Sequence, residues 1–331
     1  VFYLYYDGSS YDFITVGTTD YGLPSLISDK FYYPLETTWA YLTYYSEESG
    51  VANIYYSTST DQGLTWSTPI QLSNDNAYWV SAGNAVAYSM TDYEVDEFCV
   101  IGWMDNTGSI VVSKVGIYTD EFDNTTVMES AEDYYFHGPA VAAYFDDIFV
   151  STSVDWSDTY TDVALTFSSD NGATWGADYA WYYWIDDYDI PDNAPVCTFG
   201  SDGTLGFMWL KGSSIFYRTN ISQYWLSDWS METLVDNDVE DNWSTACVIS
   251  DNVFHAAYDE GESGNIYYEQ LSLEPVESFG EYVNDGYFPQ VSLAENGDIY
   301  VAFSEYDESI SDFLLIGVYR SQDGGATWTR H

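Results

Sequence analysis

The sequence predicts an all-β protein, a seven-bladed β-propeller of four-stranded antiparallel blades, with a six-bladed ring as the alternative. Three observations predict it. A short turn motif recurs at multiples of one period, strand-like apolar runs recur about four to the period, and long amphipathic helical patterns are absent. Strands at that density and period are what a propeller blade requires.

The turn motif is Ser-x-Asp-x-Gly-x-Thr-Trp. It occurs at Ser59, Asp61, Gly63 and Trp66, again at Ser168, Asp170, Gly172 and Trp175, and again at Ser321, Asp323, Gly325 and Trp328. Each copy follows a β-branched or aromatic run: Asn53–Tyr56, Val163–Phe167 and Phe313–Tyr319. A strand therefore runs into a tight turn. The Asp carboxylate can accept backbone N–H bonds across such a turn. Gly can take a positive φ, and the Trp can fold back over the hairpin. The spacings Asp61 to Asp170 and Asp170 to Asp323 are close to two and three multiples of about 51 residues. Degenerate copies fill the gaps: Thr18–Gly22 without its Trp, Thr119-Asp120, and Thr219–Trp225 with Asn220 for Asp and Ser222 for Gly. The unit near Leu271 has lost the motif.

The pattern resembles the Asp-box (BNR) repeat of the sialidase-like β-propeller superfamily. As a repeat the resemblance covers nearly the whole chain, with three strong copies of its motif. It implies that the boxes face one side of the ring and that binding sites lie on the other.

The remaining strands follow in order. First strands enter after an aromatic and a Pro, at Tyr33-Pro34, at Pro139 with Phe136 before it, at Pro195 and at Phe288-Pro289. Second strands read as Trp39–Tyr45, Phe98–Met104, Ile148–Val154, Leu205–Leu210, Val253–Tyr258 and Ile299–Phe303. Val1–Asp7 matches Val253–Asp259 and so reads as a second strand, with Phe13–Gly17 as its third. The chain is expected to form one propeller domain over residues 1–331, with incomplete first and last blades, as part of a longer chain. A neighbour could supply the missing strand, so self-association through the incomplete blade is expected as one route to closure.

Fifty-four acidic residues against six basic ones give a net charge of −48. Such a field repels nucleic acid and anionic membrane surfaces. Self-repulsion at that level calls for screening by salt or bound cations. No apolar run approaches the roughly 18 residues of a membrane span. Cys99, Cys197 and Cys247 lie in apolar runs without Cys-x-x-Cys spacing, where a buried free thiol is the default. Sequons at Asn124, Asn220 and Asn242 are about as many as the composition produces by chance.

Two sets of loops could carry chemistry. Asp7, Glu47, Asp105, Asp155, Lys211, Asp259 and Glu305 follow the second strands. Six of these seven are acidic, which suits Ca²⁺ and its oxygen ligands. In a chain so acidic it also suits a plain solvated rim. Lys211 is a counter-ion or a ligand contact. The loops entering the first strands pair acids with aromatics: Asp75 with Trp79, Asp133 with Tyr135, Asp187 with Tyr188, Asp241 with Trp243 and Asp285 with Tyr287. Aromatic faces beside carboxylate acceptors suit a carbohydrate. They suit packing between blades equally.

Sialidase activity is not expected. The family clamps its substrate carboxylate with three arginines, whereas Arg218 and Arg320 lie at box positions and Arg330 near the end. Lone lysines do not replace bidentate guanidinium contacts. His137, His255 and His331 have no zinc-ligand spacing, and no Gly-x-Ser-x-Gly, P-loop or dinucleotide motif occurs. No organic cofactor is expected. The sequence reading is thus a non-catalytic binding or surface-assembly module, extracellular or on the cell surface. It would be carbohydrate-binding and stabilised by cations. A glycoside hydrolase using a carboxylate pair and a structural subunit of a surface layer or filament are the alternatives.

Overall fold

The computed structural model describes residues 2–6, 11–15, 25–28, 40–48, 51–61, 63–73, 77–91, 94–116, 121–131, 134–156, 160–176, 183–184, 192–200, 202–212, 214–220, 233–236, 245–250, 253–259, 265–272, 281–294, 296–307 and 312–331. All regular elements among them are strands. Sheet A pairs β1 (Phe2–Tyr6) with β2 (Tyr11–Thr15). Sheet B holds β3 (Ser25–Ser28), β4 (Ala40–Glu48), β5 (Val51–Ser59) and β6 (Ile70–Gln71). Sheet C holds β7 (Tyr78–Thr91), β8 (Glu94–Met104), β9 (Ile110–Gly116) and β10 (Phe122–Met128). Sheet D holds β11 (Tyr134–Tyr144), β12 (Asp147–Trp156), β13 (Tyr160–Ser168) and β14 (Tyr183–Trp184). Sheet E holds β15 (Asp192–Phe199), β16 (Leu205–Lys211), β17 (Ser214–Asn220) and β18 (Thr233–Asp236). Sheet F holds β19 (Thr245–Ser250), β20 (Val253–Asp259), β21 (Asn265–Ser272) and β22 (Glu281–Asp285). Sheet G holds β23 (Tyr287–Leu293), β24 (Ile299–Asp307), β25 (Asp312–Ser321) and β26 (Thr329–Arg330). In each four-stranded sheet the strands pair in chain order. The strand runs expected as second strands are the second strands of sheets B to G.

The chain forms two compact units, residues 1–159 with 164–183, and residues 160–163 with 184–331. In the first, sheets B and C pack face to face through Tyr41, Ile54 and Tyr56 against Cys99, Ile101 and Trp103. Burial pushes the Cys99 thiol well up, so it is an inert apolar group. In the second unit, Met208, Ile215 and Tyr217 of sheet E meet Phe254 and Ala256 of sheet F. The opposite face of sheet F, with Ala257, Ile266 and Tyr268, meets Val301 and Phe303 of sheet G. Alternation along each strand supplies both faces. Gly206 shows how close the approach is: a Cβ there would lie 2.4 Å from the Phe254 ring.

The three strong turns share one hydrogen-bond set. The Ser59, Ser168 and Ser321 hydroxyls accept the N–H of Gly63, Gly172 and Gly325, each at 2.8 Å. The Thr65, Thr174 and Thr327 hydroxyls donate to the Asp61, Asp170 and Asp323 carboxylates at 2.6 Å. The same Asp residues accept the Thr backbone N–H. Gly63, Gly172 and Gly325 take φ of 89°, 77° and 98°, which a side chain resists. Each turn joins the third strand of its sheet to the fourth, and two of them also grip the preceding sheet. Lys114 Nζ on β9 donates to Asn171 O at 2.5 Å. Trp328 lies edge-on to Tyr268 on β21, ring centroids 5.1 Å apart. Trp66 and Trp175 donate their indole N–H to the turn glycine carbonyl at 3.1 Å.

The degenerate turns at residues 18–22, 119–120 and 221–225 lie outside the described residues. At the C-terminal end β26 pairs with β25, so sheet G carries a two-residue fourth strand where the sequence reading expects one only to begin.

Candidate functional site

Of the residues expected after the second strands, Glu47, Asp105, Asp155, Lys211, Asp259 and Glu305 are described; they lie in or just after the second strands of their sheets, but not on one face. Asp259 closes β20 and alternates onto the Ala257 side, toward sheet G. Glu305 on β24 shares the Phe303 side, and Asn284 of sheet F donates to its Oε1 at 3.2 Å. The equivalence drawn between them from sequence therefore fails in orientation. Asp105 Oδ1 accepts the N–H of Thr107 and Ser109, at 2.8 and 2.9 Å, and so caps its own turn. Asp155 pairs across strands with Tyr135. Lys211 lies over the Phe216 ring, 5.8 Å from its centroid. Glu47 lies in β4, Trp79 in β7, and Tyr287 pairs with Ser304. Asp7, Asp75, Asp133, Asp187, Tyr188, Asp241 and Trp243 lie outside the described residues. Among the described residues no three His, Cys, Asp or Glu side chains converge to hold a metal ion.

What the structure does bring together is a rung of three tyrosines in sheet F. Tyr258 pairs with Tyr267, and Tyr267 with Tyr282, across β20, β21 and β22. The first two rings stack at 5.7 Å and the second two meet edge-on at 6.0 Å. The rung grades from buried Tyr258 to Tyr282, which is 49% exposed at the outer edge. It sits one pair in from the β20–β21 turn, on the face that packs against sheet E.

Carboxylates flank both ends of this rung. The Tyr258 hydroxyl donates to Asp236 Oδ2 at 3.0 Å, from sheet F to the end of β18 in sheet E. The Tyr282 hydroxyl donates to Asp285 Oδ1 at 2.6 Å. Burial and the Asp285 bond push Tyr282 up to about 12, so it stays a donor. Glu269 lies two residues beyond Tyr267 on β21 and shares its face. Burial first, and then the Asp236 charge, push its carboxyl up to about 8. It is thus a neutral acid at neutral pH, with the Asp236 carboxyl beside it.

The neighbouring seam, between sheets F and G, is built differently. Glu305 Oε1 accepts from the Tyr319 hydroxyl at 2.7 Å, and Oε2 pairs with Arg330 at 2.5 Å. Asn284 Nδ2 also donates to the Tyr319 hydroxyl, at 2.5 Å. Arg320 pairs with Asp298. The two arginines nearest the C-terminus are thus held by separate carboxylates.

Sequence reasoning missed the tyrosine rung. It paired Asp285 with Tyr287, whereas the hydroxyl that reaches Asp285 is that of Tyr282.

Neither a family model nor a curated protein matches the chain. Solved structures do. The chain is similar to the Aleuria aurantia lectin in complex with α-methyl-L-fucoside, at 10% identity, 94% of both chains and a TM-score of 0.58. It is similar to an α-L-arabinanase of Penicillium chrysogenum complexed with arabinobiose, at 14% identity, 89% of this chain, 92% of that one and a TM-score of 0.55. Another structure of the lectin, described as a six-bladed β-propeller, covers 94% of both chains at 9% identity and a TM-score of 0.53. At these identities the likeness shows the fold, a β-propeller.

Proposed function

We propose that this chain is a non-catalytic, extracellular carbohydrate-binding β-propeller whose ligand stacks on Tyr267 and Tyr282. The observation that carries the reading is the tyrosine rung with an acceptor at each end. Its rings offer apolar faces to sugar C–H groups, and Asp236 and Asp285 offer acceptors to hydroxyls. The fold it shares with a lectin in complex with a fucoside supports the same reading. Seven separate sheets among the described residues support a seven-bladed count, and the six-bladed lectin keeps six as the alternative. At −48, screening cations, Ca²⁺ among them, would steady the compact state.

The test is calorimetric titration with a panel of neutral oligosaccharides, with fold checked by circular dichroism. Tyr282→Ala is expected to weaken binding about tenfold, the upper range for one aromatic stack. Unchanged affinity in a folded variant would overturn the site, and no binding across the panel would overturn the function.

One observation favours a second reading, a glycoside hydrolase. Glu269, an acid held neutral, lies beside Asp236, and glycosidases employ two carboxyl groups. Against it, Glu269 is only 3% exposed, in a seam between two sheets. Turnover of chromogenic glycosides, abolished by Glu269→Gln, would decide for the hydrolase.

A further inference from the structure

The three sequons, equivalent as sequence, are not equivalent in the fold. Asn220 ends β17 and is 0% exposed, so a sugar there is incompatible with the folded sheet. Asn242 lies outside the described residues. Asn124 differs. Asn124, Thr125 and Thr126 are exposed in succession on β10, the outermost strand of sheet C.

We propose that Asn124 is an N-linked glycan acceptor, and that its sugar covers the free edge of sheet C. The proposal rests on export of the chain, which belongs to the reading above, and not on any ligand of the tyrosine rung. Its chemistry is group transfer from a polyprenyl-phosphate-linked oligosaccharide. The Asn124 Nδ2–C1 bond forms and the donor's C1–O bond to phosphate breaks. The lipid phosphate leaves with the electron pair, and the amide gives up one proton.

The side chain is already placed for this. Asn124 Oδ1 accepts from the Ser113 hydroxyl at 2.7 Å, and Nδ2 donates to Leu72 O at 2.9 Å. An amide NH₂ has two donors. Transfer consumes one and leaves one for Leu72. A strand with five exposed residues in its seven and, among the described residues, no strand paired on its outer side is also where an edge needs cover. A bulky, hydrated sugar at its third residue supplies it.

The experiment expresses the full chain through a secretory route with N-glycosylation, carrying a reporter sequon on an unstructured tag whose occupancy confirms transfer. Peptide mass spectrometry after enzymatic release in heavy-oxygen water reads each site. Asn124 is expected to be occupied and Asn220 empty in the folded fraction. Thr126→Ala should abolish occupancy while leaving the Asn124 bonds in place, and Thr126→Ser should retain it. An unmodified Asn124 beside an occupied reporter overturns the proposal. So does a folded fraction carrying sugar on Asn220 alone.

Discussion

The two seams of the second unit are built on the same plan and end differently. In both, a short polar side chain in the last two residues of one sheet's fourth strand reaches a tyrosine in the next sheet. Between sheets E and F that side chain is Asp236, and its partner is Tyr258. Between F and G it is Asn284, and its partner is Tyr319. Asn284 brings donors, and Glu305 is held there by Asn284, Tyr319 and Arg330. Asp236 brings another carboxylate, and burial first and then its charge push Glu269 beside it toward the neutral form. One seam is a closed network that holds two sheets together. The other sets two carboxyl groups side by side in a buried seam.

The largest expected effect concerns pH. Glu269 titrates at about 8 in the folded chain against an ordinary 4.5, so the folded state binds the extra proton between those values. Stability on its account is greatest below about 4.5, falls as pH rises through that window, and levels off above about 8. The loss is on the order of 5 kcal/mol over the window. Glu269→Gln should flatten that part of the pH dependence of urea unfolding, and an unaltered slope would place the acid outside the seam. Next comes Glu305→Ala, which strands three donors and should cost about 2 kcal/mol. Its unfolding midpoint should drop with no change in glycan affinity, and lost affinity would erase the distinction between the seams. Asp236→Asn makes the first seam resemble the second. It should stabilise the fold by about 1 kcal/mol at neutral pH and bring the Glu269 titration down, as followed by carboxyl infrared bands. Smallest is Tyr282→Phe at the exposed edge, within about 0.5 kcal/mol of the parent in thermal unfolding. It tests whether the hydroxyl bonded to Asp285 matters to ligand alone.

The legible part of the fold was local. Ser59, Asp61, Gly63 and Trp66 act within one turn, so their spacing survives in sequence as a fixed pattern. Second strands were legible because Leu205–Leu210 and Val253–Tyr258 are buried on both faces and read as continuous apolar runs. The candidate site was not legible, because it is a property of register. Tyr258, Tyr267 and Tyr282 are unevenly spaced along the chain and meet only through cross-strand pairing. Among 34 tyrosines nothing marked these three. The same limit explains Asp259 and Glu305: a one-residue difference in strand register turns a side chain to the other face.

The three repeated turns have a bearing on how such an acidic molecule would fail. Each turn carboxylate is held by donors from its own loop. Hydrogen bonds from Thr65 and Thr327 hold Asp61 and Asp323 below the usual range, and Thr174 does the same for Asp170 against its slight burial. Salt that screens distant charges has little hold on such a loop. As salt is withdrawn, amide exchange should therefore quicken along the seams first, while the amides of Gly63, Gly172 and Gly325 stay protected. The molecule would come apart into intact hairpins, each still fastened at its own tip.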